Sequence, residues 1–313
     1  SRKTPLSFRG TTKFSRCHLT CRFMTRLLCF VFAIITTGIN SSAQDAYQEE
    51  IRVWDSTRHE FLKSENGWLN LVGLLWLSEG KNSFGSDPSN AVVFPAGSVV
   101  PKAGHFDLHN GVVTMTAKPS IAITVNGIKK SSAVIHHKDS TTLPVAAFGS
   151  LRWTIKKSED KYGIRLRDLK SPAISAFKGI ERFHADPAWK VVARLEKSGS
   201  EGISITNVLG QTSEHASPGK LVFNLIGKSY SLETMTEGDQ LFIIFSDETS
   251  GTTTYPSGRY LYAAKPDRDG YTTLDFNKAI NPPCAFTEFA TCPLPPKQNI
   301  LPISITAGEK YDH

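Results

Sequence analysis

No apolar run in the sequence reaches 18 residues, so it offers no stretch of the length an ordinary membrane-spanning helix needs. Its 23 glycines and 17 prolines recur without a three-residue period, which excludes a collagen-like fibre. Aromatic residues make up only 10% of the chain, and cysteine is scarce at five residues. No diagnostic catalytic or cofactor motif is present either. What is there describes a globular body: 313 residues, 40% apolar and 21% charged, enough for one or two packed domains.

The formal net charge of +7 comes from one end of the chain. Residues 1–43 hold Arg2, Lys3, Arg9, Lys13, Arg16, Arg22 and Arg26 and no acid. The 36 bases less those seven leave 29, against 29 acids, so the rest of the chain is neutral and carries no electrostatic footprint for nucleic acid. From Met24 the order is a basic residue, the apolar stretch Leu27–Ile35, then small residues ending at Ala43. That is the order of a secretory signal peptide, with Met24 as initiator and cleavage after Ala43. The competing readings are a transit peptide, from the Arg/Ser/Thr-rich residues 1–23, and an uncleaved membrane anchor. The expected location is secreted or periplasmic, with no transmembrane span in the mature chain.

Cleavage there removes Cys17, Cys21 and Cys29 and leaves Cys284 and Cys292. In an oxidising compartment they form one disulfide, the alternative being two reduced, buried thiols.

Along the mature chain, Tyr47, Ile51, Trp54, Phe61 and Leu62 fall on one helical stripe between charged residues, predicting an amphipathic helix from Asp45, its cap, to about Lys63. After Trp68 the sequence reads as strands with turn signals about every 8 to 12 residues. Asn110-Gly111 and Asn126-Gly127 predict tight hairpin turns. The expected fold is mainly β: a targeting region (1–43), a helix (44–66), a β-sandwich (67–147), and a second antiparallel β domain (148–313) packed against it. Trp68, Trp76, Trp153 and Trp189 lie in apolar runs and are expected in the core.

Two resemblances follow from particular residues. The stretch Glu79 to Pro95, with His105 and Val125-Asn126-Gly127, resembles a forkhead-associated (FHA) sandwich over about 60 residues. Ser86 stands where that family places the arginine of its phosphothreonine grip. In the C-terminal third, Phe245 to Gly251, Thr254-Tyr255 and Gly258 to Leu261 are followed by the blocks NPPCAFT, CPLPP and AGEK between Asp275 and Lys310. These resemble the domain-of-unknown-function 1684 family, a likeness running from about Tyr47 to Lys310. It implies a β-rich protein of unassigned activity.

Candidate chemistry gathers on the same segments. Asp247 ends an apolar strand ahead of a loop leading to Arg259, so acid and base can meet as a general-base site or as a structural pair. Asp275, Asn277, Asn281 and Glu309, the last after an expected final strand through Ile303 and Ile305, suit a divalent cation or a polar ligand. Arg165 and Arg167 share a strand face and suggest an anion site. His184 is a candidate imidazole without a nucleophile elbow, and Tyr255 and Arg259 are candidate ligand contacts. His136 and His137 point to opposite faces of a strand. The function expected is a C-terminal polar pocket for a small molecule or metal, with hydrolase activity among its readings. A noncatalytic envelope module working through protein contacts is the alternative.

Overall fold

The computed structural model describes residues 44–199 and 202–312. The signal-peptide reading, Met24 and the three early cysteines therefore lie outside the described residues. Two compact units divide the chain after Glu50, and of the first, residues 44–50 are described and helical. All the described strands belong to the second unit, Ile51–His313.

Helix α1 covers residues 44–63. Ile51 and Leu62 of its apolar stripe are buried, whereas Phe61 remains 43% exposed. Arg58, a polar-face residue by sequence, is buried instead. The cause lies in its partners: its Nε donates to Glu309 Oε1 at 3.0 Å and its Nη2 to the Asn281 carbonyl at 3.1 Å. Asp55, one turn earlier, receives Arg182 at 2.7 Å. Ion pairs thus tie this helix to Arg182 through Asp55 and to Glu309, near the end of the chain, through Arg58.

Eleven strands follow: β1 (Leu71–Trp76), β2 (Gly80–Gly85), β3 (Val92–Val93), β4 (Gly104–His109), β5 (Val112–Ala117), β6 (Thr124–Val125), β7 (Ile128–Lys129), β8 (Ser132–His136), β9 (Ala146–Phe148), β10 (Leu151–Ser158) and β11 (Lys161–Asp168). They form two sheets, β1-β11-β10-β9-β6-β7 and β3-β2-β4-β5-β8. Both asparagine–glycine turns are hairpins, β4–β5 and β6–β7, with φ of 50° at each asparagine and 78° at each glycine, as tight mirror-image turns require. Between the sheets Phe84, Phe94, Phe106, Met115 and Trp153 are almost wholly inaccessible, and Phe84 stacks on Phe106 with centroids 4.5 Å apart.

The sequence break near residue 147 divides strands that the structure pairs. β10 and β11, assigned by pattern to the second system, are central strands of the first: Leu151 to Trp153 pair with β9, and β11 pairs along β1. Their inward residues Trp153, Ile155, Ile164 and Leu166 complete the first core. The division between the sheet systems therefore falls after Asp168.

Beyond a short helix, α2 (Pro172–Ala176), come β12 (Lys190–Glu196), β13 (Gly202–Thr206), β14 (Thr212–Ala216), β15 (Gly219–Leu225), β16 (Lys228–Glu237), β17 (Gln240–Phe245), β18 (Arg259–Ala264) and β19 (Tyr271–Asp275). Six of these form a sheet in the order β18-β17-β16-β15-β12-β19, and β13 and β14 pair separately as a hairpin. One face packs Leu221, Phe223, Ile243, Phe245, Leu261 and Phe276 into a second core. The other places Met235, Ile244 and Tyr260 against Ile203 and Ile205 of the hairpin. The expected last strand through Ile303 and Ile305 is irregular chain instead, because the Ile305 N–H donates to Asp247 Oδ1 at 3.2 Å rather than to a neighbouring strand. The disulfide joins Cys284 and Cys292.

Candidate functional site

The C-terminal motif residues do meet, but as a buried clamp. Asp247 and Arg259 form a 2.7 Å ion pair with both side chains inaccessible to solvent. The other Asp247 oxygen accepts the Thr249 N–H at 2.9 Å and the Thr249 hydroxyl at 2.6 Å, besides the Ile305 N–H. Arg259 donates to the carbonyls of Ala307 and Ile305, and its guanidinium lies over the Phe245 ring. Burial pushes Arg259 below its ordinary value, against the upward pull of Asp247 and Glu309. With its oxygens saturated, Asp247 has no reach to a substrate, so the general-base reading gives way to the structural pair.

Glu309 is fully buried, takes Arg58 on one oxygen and accepts the Asn281 N–H at 2.6 Å on the other. Burial raises its pKa while Arg58 pulls it down. The AGEK block is legible in this setting: Gly308 sits at φ 80°, and a Cβ there would fall 2.6 Å from the Ala279 carbonyl oxygen. Asp275 and Asn277 sit apart from that clamp. Asp275 caps the single turn Phe276–Lys278, and the Asn277 side chain exchanges hydrogen bonds with the Asp186 backbone at 3.0 and 2.8 Å. The cation-site expectation for Asp275, Asn277, Asn281 and Glu309 thus fails on geometry, since the four divide between two places with different partners. Among the described residues, no three His, Cys, Asp or Glu side chains cluster for a metal ion. Tyr255 packs edge-on against Tyr311 at 4.9 Å, and His184 is exposed.

The cavity lies elsewhere, between the two sheet systems. It encloses about 480 Å³ and draws its lining from five parts of the chain. Helix α1 supplies Arg58 and Phe61, the first sandwich Trp68 and Arg165, and the second sheet Glu237, Phe242, Tyr260 and Tyr262. The disulfide loop adds Ile280, Asn281, Pro283 and Ala290 to Pro293. In the β17–β18 register Phe242 lies opposite Tyr262 and Ile244 opposite Tyr260, which puts the aromatic rings on one face. Phe242 stacks on Tyr262 and meets Tyr260 edge-on, each at 5.0 Å between centroids. Burial drives both phenols up from their usual value, so each stays a proton donor, Tyr260 to the Pro293 carbonyl at 3.2 Å and Tyr262 to Glu237 at 3.4 Å. Two buried polar atoms of lining residues have no hydrogen-bond partner: Arg165 Nε and Asn281 Oδ1.

Of the residues singled out by sequence, Arg165, Asn281 and Cys292 line this cleft. Arg167 stands beside it, donating to Gly67 and Asn70 with its guanidinium over Trp68. Trp68 is therefore a wall rather than core, Trp76 is 37% exposed, and only Trp153 of the four predicted core tryptophans is fully enclosed. Arg58, Glu237, Phe242, Tyr260 and Tyr262 escaped the sequence reading. The signal for the aromatics was Phe242, Tyr260 and Tyr262 at alternate positions in strands whose intervening residues are apolar.

Fold and cleft define a β-rich protein with two packed sheet systems and a mixed aromatic and charged pocket between them. The family described as "Protein of unknown function (DUF1684)" matches residues 175–310 of the chain. An uncharacterized protein of Haloarcula marismortui, solved by solution NMR, is similar at 35% identity over 44% of this chain and 79% of that one, with a TM-score of 0.37. A chain from a study of phosphothreonine-dependent FHA domain interactions is similar at 18% identity over 29% of this chain and 79% of that one, with a TM-score of 0.21. No curated protein matches. In the FHA-like stretch, Ser86 Oγ donates to the Val99 carbonyl at 2.7 Å and His105 pairs with Asp107 at 3.0 Å, so both side chains have local partners.

Proposed function

We propose that the protein binds a small molecule in the cleft between its two sheet systems, under the loop closed by Cys284–Cys292. One observation carries this reading: a cavity of about 480 Å³, walled by aromatic rings, is lined by Arg165 and Asn281, each of which has a buried polar atom that no protein group satisfies. Ligand pockets combine an apolar body with a few convergent polar groups, often between packed units. Unpaired buried polar atoms cost free energy, which a ligand's hydrogen bonds offset. The binding site moves accordingly from the C-terminal motif loop to the cleft beside it, and Asp247, Arg259 and Glu309 act by holding that loop in place. The disulfide supports a working place in an oxidising compartment, secreted or periplasmic, after loss of residues 1–43.

A thermal-unfolding screen of the full chain against sugars, nucleotides, organic acids and amines tests the reading. A ligand at a hundred times its dissociation constant adds about 2.7 kcal/mol. The hit is expected to disappear in Thr291→Trp, which places an indole in the cleft, while that variant keeps the parent fold. A hit of equal size in parent and variant would place the ligand elsewhere.

A further inference from the structure

The sheet face that reaches the cleft through Arg165 carries positive charge that the protein offsets only in part. In the β10–β11 register Arg152 lies opposite Arg167 and Thr154 opposite Arg165, so Arg152, Lys156, Arg165 and Arg167 share one sheet face. Of these, Arg152 is offset by Glu65 at 3.0 Å. Arg167 donates to neutral acceptors, Gly67 and Asn70. Among the described residues, Arg165 and Lys156 make no ion pair. Like charges packed across neighbouring strands destabilise a sheet, more so where water is partly excluded. The strain shows in proton affinity: burial lowers Arg165, and burial plus the nearby Arg165 charge lower Lys156 and push Arg167 down to about 10.

The geometry suits an acidic ligand. Arg165 reaches the cleft that Trp68 and the aromatic wall of β17 and β18 enclose, and its Nε has no partner. Lys156 lines a neighbouring cavity of about 300 Å³ that shares Thr291 and Pro293 with the cleft. Among the described residues, the one carboxylate in the cleft lining, Glu237, belongs to the second sheet and receives the Tyr262 hydroxyl. A guanidinium fork matches a carboxylate or a phosphate through paired N–H donors. Building on the cleft reading, we infer that the ligand is an anion: a carboxylate or phosphate seated on Arg165, carried by a planar body that lies against Trp68 and the Phe242–Tyr260–Tyr262 wall.

The test titrates the full chain at constant ionic strength with phenyl phosphate, benzoate and the neutral benzyl alcohol, followed by thermal unfolding and by direct calorimetry. The acids are expected to bind at least tenfold more tightly than the alcohol, and Arg165→Gln to erase that advantage. The same variant, freed of an uncompensated cation, should unfold at the parent temperature or above. Arg165→Lys, which keeps the charge and loses the fork, should retain the fold and lose about tenfold in affinity. Arg152→Gln, at the exposed paired site, should bind as the parent does. A preference for phenyl phosphate over benzoate assigns a phosphate ligand, and the reverse a carboxylate. Equal binding of acid and alcohol overturns the anion inference and leaves the cleft reading standing. An acid advantage that survives Arg165→Gln places the anion elsewhere and also overturns it. If no probe binds, both fall.

Discussion

Replacing Asp247 by alanine separates a structural clamp from a reactive carboxylate. The pair it makes with Arg259 is 2.7 Å long with both side chains inaccessible, so the change leaves a buried guanidinium without its counter-charge. Breaking such a pair from one side costs about 3–5 kcal/mol. The Thr249 N–H, its hydroxyl and the Ile305 N–H lose their acceptor in the same step. For a domain of this size each kcal/mol moves the unfolding midpoint by about 2–4 °C, so the expected fall is roughly 6–20 °C. Denaturant unfolding of the full chain reads the free energy directly. The double variant Asp247→Ala/Arg259→Met is expected to lose less than the sum of the single changes, because it removes the stranded charge. An Asp247→Ala protein within about 1 kcal/mol of the parent would refute the clamp, since a buried pair with three further donors on one carboxylate cannot be silent.

Other consequences are as specific. Phe84→Ala, at a site with no solvent exposure in the first core, is expected to cost about 3–5 kcal/mol in chemical unfolding. Burial and the neighbouring Lys157 and His137 charges hold His136 below its ordinary value, and neither ring nitrogen has a hydrogen-bond partner. A depressed folded-state value means stability is fully present above pH 6.5 and is lost as pH falls through the folded pKa; His136→Phe should flatten that decline in denaturant midpoints between pH 8 and 5. Reducing Cys284–Cys292, or replacing both by serine, should lower stability by roughly 2.5 kcal/mol for a loop of about nine residues. The same treatment should weaken ligand binding in the cleft, because Cys292 is part of its lining.

Much of the architecture could be read from local pattern. The helix at 44–63, the two asparagine–glycine hairpins and the buried Trp153 all follow from periodicity and turn chemistry. Strands that mix polar residues into their inward positions, or expose every position, carry a weaker pattern. β2 places Asn82 inward, where it is satisfied by the Ser78 and Gly80 carbonyls, and β14 is exposed throughout and exists by pairing with β13. Pattern could not tell that β11 turns back to β1, since pairing across some 90 residues leaves no local mark. The Asp247–Arg259 meeting was legible because a short loop joins their strands. The cleft was not, because five separate segments build it, and because Arg58 looks like a solvated helix residue until Glu309 arrives from 251 residues away.

The central claim is that the cleft holds the ligand, and the indole N–H resonances of the five tryptophans test it most directly. Trp68 lines the cleft, while Trp153 is sealed in the first core. With tryptophan-labelled full chain and resonances assigned by single Trp→Phe variants, titration with a screening hit should move Trp68 in proportion to saturation and leave Trp153 in place. A ligand that saturates the protein without moving Trp68 would contradict the account.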